Sequence, residues 1–340
     1  MAGDRVGAST PRQSAPGDEF AVIDRLRARF EAAAGGGAPA GEVWIGDDAA
    51  WVRAPSGSLL LATDLVVAGV HADLRWCSPA DVGFKAVMVT VSDVAAMGGR
   101  PGHLLVSVAA PVSVSLDGVG EGVAEAARLV GAPVVGGDLS TGPVLVVSVA
   151  VVGFLEPGPV GGTVGPLRRS GARPGDAVYV TGPLGASAAG LARLRAGTLP
   201  PPVVLSGLPD EVDAALAVAH RRPAARLEEG STARRSGARA AIDVSDGLLA
   251  DVGHLAEASQ VGVALSGVPV AVGATLEDAL GGGEDYELVV STPEPDRLET
   301  AFAAAGLRAP IRIGECTPEA GVVRLDGQPA PAVGWRHRLG

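Results

Sequence analysis

This sequence is nearly empty of lysine and wholly empty of asparagine: of 340 residues, Lys85 is the one lysine. Lys85 stands in Phe84-Lys85-Ala86-Val87, so no Gly-Lys-Ser/Thr exists and a Walker A phosphate loop is excluded. No glycine-rich loop precedes Lys85 and no His-Arg-Asp follows it, which excludes the protein-kinase arrangement. The absence of asparagine removes every N-glycosylation acceptor. Cys77 and Cys316 are too few for a disulfide framework and point to a reducing compartment. No uninterrupted apolar run reaches about 18 residues, so no transmembrane span is expected. Residues 1–17 lack an apolar core and read as a tail rather than a secretory signal, leaving the cytoplasm as the expected location. Positive charge is short as well. With 27 basic against 38 acidic residues the chain carries −11, a poor balance for gripping nucleic acid or an anionic membrane.

What is present suits a two-domain α/β protein (α+β in the looser sense) of two layered domains. After the tail we expect a first domain over 18–155, a Pro/Gly-rich linker over 156–167 and a second domain over 168–340. Phe20, Ile23, Leu26 and Phe30 recur at helical spacing within 18–34. Stretches 42–53 and 58–64 read as strands. Ser78-Pro79 opens a long helix running to Met97, with Ser78 as N-cap and Asp81 in the first turn. Leu104–Ala109, Val144–Phe154, Ala177–Thr181, Ala240–Val244 and Glu287–Ser291 read as strands. Asp117–Val130, Gly185–Arg195, Glu211–Val218, Ala250–Ala258 and Glu299–Ala305 read as helices. Lys85 is read as a structural partner of Asp81, one helical turn away.

Acidic residues end many of these apolar runs. They fall in Gly46-Asp47-Asp48, Thr63-Asp64, Ser92-Asp93, Gly136-Gly137-Asp138, Asp243-Val244-Ser245-Asp246-Gly247 and Gly283-Glu284-Asp285-Tyr286. One strand-end aspartate is ordinarily a turn former or cap. Six such sites in a chain without a phosphate-binding lysine suggest gathered carboxylates, whose mutual repulsion protons or cations must relieve. Oxygen donors without His or Cys suit Mg²⁺, especially an ion shared with phosphate oxygens.

Taken in order, these segments resemble the thiamine-monophosphate kinase family, within the wider group of aminoimidazole ribonucleotide synthetase and selenophosphate synthetase. Further matching pieces are Gly69-Val70-His71, Arg169-Ser170-Gly171-Ala172-Arg173-Pro174-Gly175-Asp176 and Glu284-Asp285-Tyr286-Glu287-Leu288. The resemblance implies transfer of the ATP γ-phosphate to thiamine monophosphate, several Mg²⁺ ions, and a homodimer whose first domains share a β-barrel. It implies metal ligands at Asp48, Ala62 (by its backbone), Thr63, Asp64, Asp93, Asp138, Asp243 and Asp246. It implies ATP contacts at Gly137, Asp138, Arg169 and Ser245, and substrate contacts at His71, Glu284 and Trp335. An aminoimidazole ribonucleotide synthetase-like ligase, or a non-catalytic relative, is the alternative. One departure stands out: where the family follows Gly-Gly-Asp with two hydroxyl residues, this chain has Leu139-Ser140-Thr141.

Overall fold

The computed structural model describes residues 19–46, 49–53, 58–156, 165–197 and 211–335. The expected tail, most of the expected linker, and Asp48 lie outside the described residues.

The first sheet has four strands. They are β1 (Leu59–Val67), β2 (Arg100–Ala110), β3 (Val134–Thr141) and β4 (Val146–Phe154), in the order β1-β4-β2-β3. β4 is antiparallel to both neighbours, and β2 and β3 are parallel. Helices α1 (Glu19–Ala33), α2 (Pro79–Ala96) and α3 (Leu116–Val130) belong to the same half. Alternation along β4 points Val147, Val149 and Val151 inward against Val87, Val91 and Val94 of α2 in one core. The opposite face is uncovered in the single chain: Leu61 is 72% exposed and Leu65 56%.

The second sheet runs β11-β10-β7-β9-β5-β8-β6. Its members are β5 (Ala177–Val180), β6 (Ala240–Asp243), β7 (Gly262–Leu265), β8 (Leu288–Thr292), β9 (Ile311–Thr317), β10 (Val323–Leu325) and β11 (Gln328–Pro329). Around it lie α4 (Ala186–Arg195), α5 (Glu211–Arg221), α6 (Leu227–Arg235), α7 (Leu248–Ser259), α8 (Leu276–Gly281) and α9 (Pro295–Ala304). Among the described residues no helix is long and apolar enough to cross a membrane.

Helix α2 joins the halves. It begins as expected, with a capping box: Asp81 N–H donates to Ser78 Oγ, and Ser78 N–H donates to Asp81 Oδ2. Nearly every residue of it is buried, because it packs on β1 and β4 on one side and on β6 and α6 on the other.

Three expectations need correcting. Among the described residues, segment 42–53 holds isolated bridge residues, Val43 paired with Trp51 among them, in place of a strand. β1 does not stop at Asp64 but continues to Val67, and β3 runs straight through Gly136-Gly137-Asp138, so both aspartates are mid-strand. Lys85 does not pair with Asp81, which binds Arg222 at 2.8 Å.

Candidate active site

Three elements bring carboxylates to the seam between the sheets. On β1, alternation turns Asp64 inward while Leu61, Thr63 and Leu65 face out. Asp93 lies in the last turn of α2, and Asp243 ends β6 at the edge of the second sheet. All three line a cavity of 450 Å³, together with Ser245 and Asp246. Asp93 and Asp243 also line an adjoining cavity of 310 Å³, whose wall includes Ala62 and Arg169.

The electrostatics of this cluster are unfavourable as it stands. Burial, then the neighbouring Asp243 and Asp64, push Asp93 up to about 7, against a smaller lowering by Arg169. Burial also raises Asp64 and Asp243. Ser92 Oγ donates to Asp243 Oδ2 at 2.7 Å. Among the described residues, neither the Asp64 nor the Asp93 carboxylate has a hydrogen-bond or ion-pair partner. Half-buried carboxylates that repel one another, with oxygen as the only donor type, fit a hard divalent cation.

Two loops finish this wall. Asp251 Oδ2 accepts N–H bonds from Ser245, Asp246 and Gly247 at 3.0–3.1 Å, which folds the segment after Asp243 around one carboxylate. The 283–287 segment is laced to it: Glu284 N–H donates to Ser245 O, and Tyr286 N–H to Val244 O. Gly283 has φ +69°, and a Cβ there would lie 2.6 Å from Ser245 O, so only glycine lets the strands approach. Glu284 and Tyr286 also have positive φ, at 57° and 51°. For such residues that backbone costs about 1–3 kcal/mol and is held by its surroundings. Trp335 N–H donates to Asp246 O, which places the last described residue on the cavity rim.

The other end of the 450 Å³ cavity has a different character. Lys85, Val89 and Asp93 are four residues apart on α2, so one helix face lines the cavity over about 12 Å. Lys85, 2% exposed, binds Glu284 Oε1 at 2.7 Å and donates to the carbonyl of His71 at 2.9 Å. His220 Nδ1 stands 3.4 Å from Glu284 Oε2 and 3.1 Å from Ser187 Oγ. Burial, then Lys85, Arg195 and Arg221, push His220 down to about 2, so its ring is neutral. His71 Nδ1 accepts from Val67 N–H at 3.1 Å, which in the neutral ring leaves the proton on Nε2.

Of the residues singled out from sequence, Asp64, His71, Asp93, Asp243, Ser245, Asp246, Glu284 and Trp335 therefore share one cavity. Ala62 and Arg169 line its neighbour. Thr63 points to the outer face, where its hydroxyl donates to Val149 O at 3.0 Å. Gly137 and Asp138 are on β3, the far edge of the first sheet, and line neither cavity. A Cβ at 137 would come within 1.8 Å of Val106 O, so the sheet itself demands glycine there. The sequence reading missed Lys85 and Tyr286 as cavity residues, and His220 as the buried neighbour of Glu284. The signals available were the uniqueness of Lys85 and its spacing of eight residues from Asp93.

Residues 46–155 match the model of the AIR synthase related protein N-terminal domain, and residues 173–326 that of the corresponding C-terminal domain. Thiamine-monophosphate kinase of Bacillus subtilis is 38% identical over 281 residues, covering 78% of this chain and 83% of that protein. A crystal structure of thiamine-monophosphate kinase from Stenotrophomonas maltophilia superposes with a TM-score of 0.77 at 31% identity, covering 92% of this chain and 98% of that one. A structure described as AaThiL complexed with AMPPCP and TMP superposes with a TM-score of 0.72 at 33% identity, covering 94% and 97%. This chain belongs to the thiamine-monophosphate kinase family, on the two-domain scaffold of the AIR synthase related proteins.

Proposed function

We propose that this protein transfers the γ-phosphoryl group of ATP to thiamine monophosphate, giving thiamine diphosphate and ADP. The observation that carries the reading is the cavity with carboxylates at one end and a compensated Lys85–Glu284 pair at the other. A relative that holds AMPPCP and TMP in its solved structure supports it.

The acceptor is a phosphate monoester with a second pKa of about 6, already largely a dianion at neutral pH. It needs no general base. The obstacle is repulsion between two polyanions, and positioning plus charge stabilisation is the chemistry required. Asp64, Asp93, Asp243 and Asp246 would hold Mg²⁺, with Asp48 and the backbone at Ala62 and Thr63 as further candidates. When bound, Mg²⁺ screens the phosphates and stabilises charge on the transferring group. Arg169 adds a fixed cation beside Asp93 and Asp243, suited to an ATP phosphate. Ser245 lines the 450 Å³ cavity with Asp243 and Asp246. His71, Glu284 and Trp335 enclose the organic end of the substrate, Trp335 offering an aromatic face.

The working unit in this reading is a homodimer whose first sheets close on each other as a barrel. Leu61, Leu65 and Leu105 are exposed on the uncovered face of the first sheet, and a second copy would bury them. Alternation places Asp138 on that same face, opposite Ser107 of β2. The dimer is thus the arrangement that would give Asp138 and Gly137 a nucleotide or metal to touch. The two buried free cysteines suit the reducing cytoplasm.

The test is one incubation of the purified chain with Mg²⁺, ATP and thiamine monophosphate, followed by chromatography. Thiamine diphosphate and ADP in equal amounts are expected. Intact thiamine monophosphate, with product formed only from an aminoimidazole precursor, would overturn the reading.

A further inference from the structure

Glu284 is the one carboxylate in the substrate half of the cavity that meets a buried cation among the described residues. A thiazolium ring carries positive charge, and an aminopyrimidine carries N–H donors. A lone carboxylate would attract either. Here the carboxylate is not alone. Lys85 reaches it from α2 at 2.7 Å, and its 2% exposure means that water contributes little screening to the pair. On the other side, the neutral His220 approaches Oε2 at 3.4 Å while meeting Ser187 Oγ at 3.1 Å. The positive φ of Glu284, with its N–H bonded to Ser245 O, fixes where the side chain leaves the backbone. Lys85 is itself held by the His71 carbonyl at 2.9 Å, so the pair cannot swing as a unit.

We propose that Lys85 is a specificity-setting positioning residue: it cancels the charge of Glu284 and aims its carboxylate, so that the cavity selects the N–H-donating aminopyrimidine of the substrate and not its cationic ring. This rests on the thiamine-monophosphate kinase reading above. The physical reasoning is a matter of what remains after pairing. The net charge of the pair is zero, so its pull on a cation is weak. An oriented carboxylate oxygen still accepts a hydrogen bond strongly, and an acceptor that a bound ligand covers without supplying a donor is costly. A site built on such an acceptor rejects analogues that lack the donor far better than it rejects analogues of different bulk.

The sign of one measurement separates the alternatives. In Lys85→Met the neutral chain replaces the ammonium at similar length, and Glu284 loses both compensation and aim. The proposal expects KM for thiamine monophosphate to rise at least tenfold, with kcat within about threefold of wild type and KM for ATP unchanged. A fall in KM for thiamine monophosphate would show that freed negative charge attracts the cationic ring, and would overturn the proposal. So would an unchanged KM. Should Lys85→Met not fold, the wild-type protein carries the test alone: an analogue with a 4′-oxo group in place of the 4′-amino group turns donor into acceptor. At least a tenfold loss of kcat/KM is expected for that analogue, and equal use of both compounds would overturn the proposal. Wild-type protein that makes no thiamine diphosphate at all refutes the kinase reading instead, so the two failures are told apart.

Discussion

The two ends of the active cavity treat negative charge in opposite ways. At one end Asp64, Asp93 and Asp243 crowd together with Arg169 as the nearest opposing charge, and burial raises all three. At the other, Glu284 has Lys85 at 2.7 Å and its charge is spent within the protein. A buried carboxylate costs several kcal/mol unless something compensates it. Where the chain supplies the compensation, the group is built to orient a ligand. Where it does not, the proposed function has the deficit met by cations that arrive with the nucleotide. One helix, α2, carries a residue of each kind two turns apart.

The strongest blow to this contrast is Asp93→Asn. If the acidic end exists to hold cations, removing one of its carboxylates should cut turnover by about a thousandfold or more, on the scale of losing a main element of charge stabilisation. The same change should not lower stability in metal-free buffer. Asp93 has a folded pKa near 7 against an ordinary value of 3.8, so the native state holds the proton more tightly than the unfolded one. Stability conferred by the protonated group is therefore full below about 4 and is lost as pH rises through 7. Melting temperature of the wild type, measured without Mg²⁺, should fall between pH 5 and pH 8, and Asp93→Asn should flatten that slope. A variant that loses its activity only because it melts earlier would make Asp93 a structural residue and erase the contrast.

How much of this contrast could be read without coordinates depends on the kind of neighbour involved. The capping box at Ser78 and Asp81, the buried run Val87–Val91 and the alternation of β4 are local, and local rules found α2 and β4. The aspartates drew notice because a repeated residue type is visible in one dimension. The Lys85–Glu284 pair was not visible. Its members are almost two hundred positions apart, and the helical i−4 rule offered Asp81 as a partner closer to hand, which Arg222 had already taken. Helix α6 escaped for a related reason. Its buried residues include Gly230, Ser231, Thr232 and Arg234, an inner face too polar to show a hydrophobic period. Arg234 is satisfied by the carbonyls of Gly98 and Glu156, partners set by tertiary packing alone. The strands β1 and β3 outran their expected ends because aspartate and glycine, read as stop signals, are tolerated where one face of a sheet opens on a cavity or a partner.

A smaller effect asks whether the acidic end is complete within one chain. Leu59 and Leu105 are exposed on the uncovered face that also carries Asp138, and they line neither cavity. The wild type is expected to elute as a dimer and the double variant Leu59→Glu/Leu105→Glu as a monomer, with turnover lower by about tenfold or more. Calorimetric affinity for thiamine monophosphate should stay within about threefold, because Lys85, Glu284 and His71 belong to one chain. Equal loss of both would mean that the two ends are not separable; full activity in a monomer would place Asp138 outside the reaction.

The smallest expected effect concerns Leu139, where the family pattern carries a hydroxyl. The bare sequence suggests a weaker grip on the nucleotide beside Asp138. Strand alternation says otherwise: residues 138 and 139 face opposite sides of β3, Leu139 opposes Val108, and its side chain packs on the core of the first sheet. Leu139→Thr should therefore leave KM for ATP within twofold. It should lower stability by about 1 kcal/mol, the loss expected when part of a half-buried apolar side chain is removed. The two readouts move independently, so the variant decides which face of β3 the nucleotide end uses. A fall in KM for ATP with unchanged melting temperature would put residue 139 on the ligand side and require β3 to twist or shift when the dimer forms. An unchanged KM with a slightly lower melting temperature leaves Asp138, on the outer face with Ser140, as the carboxylate that β3 contributes to the acidic end.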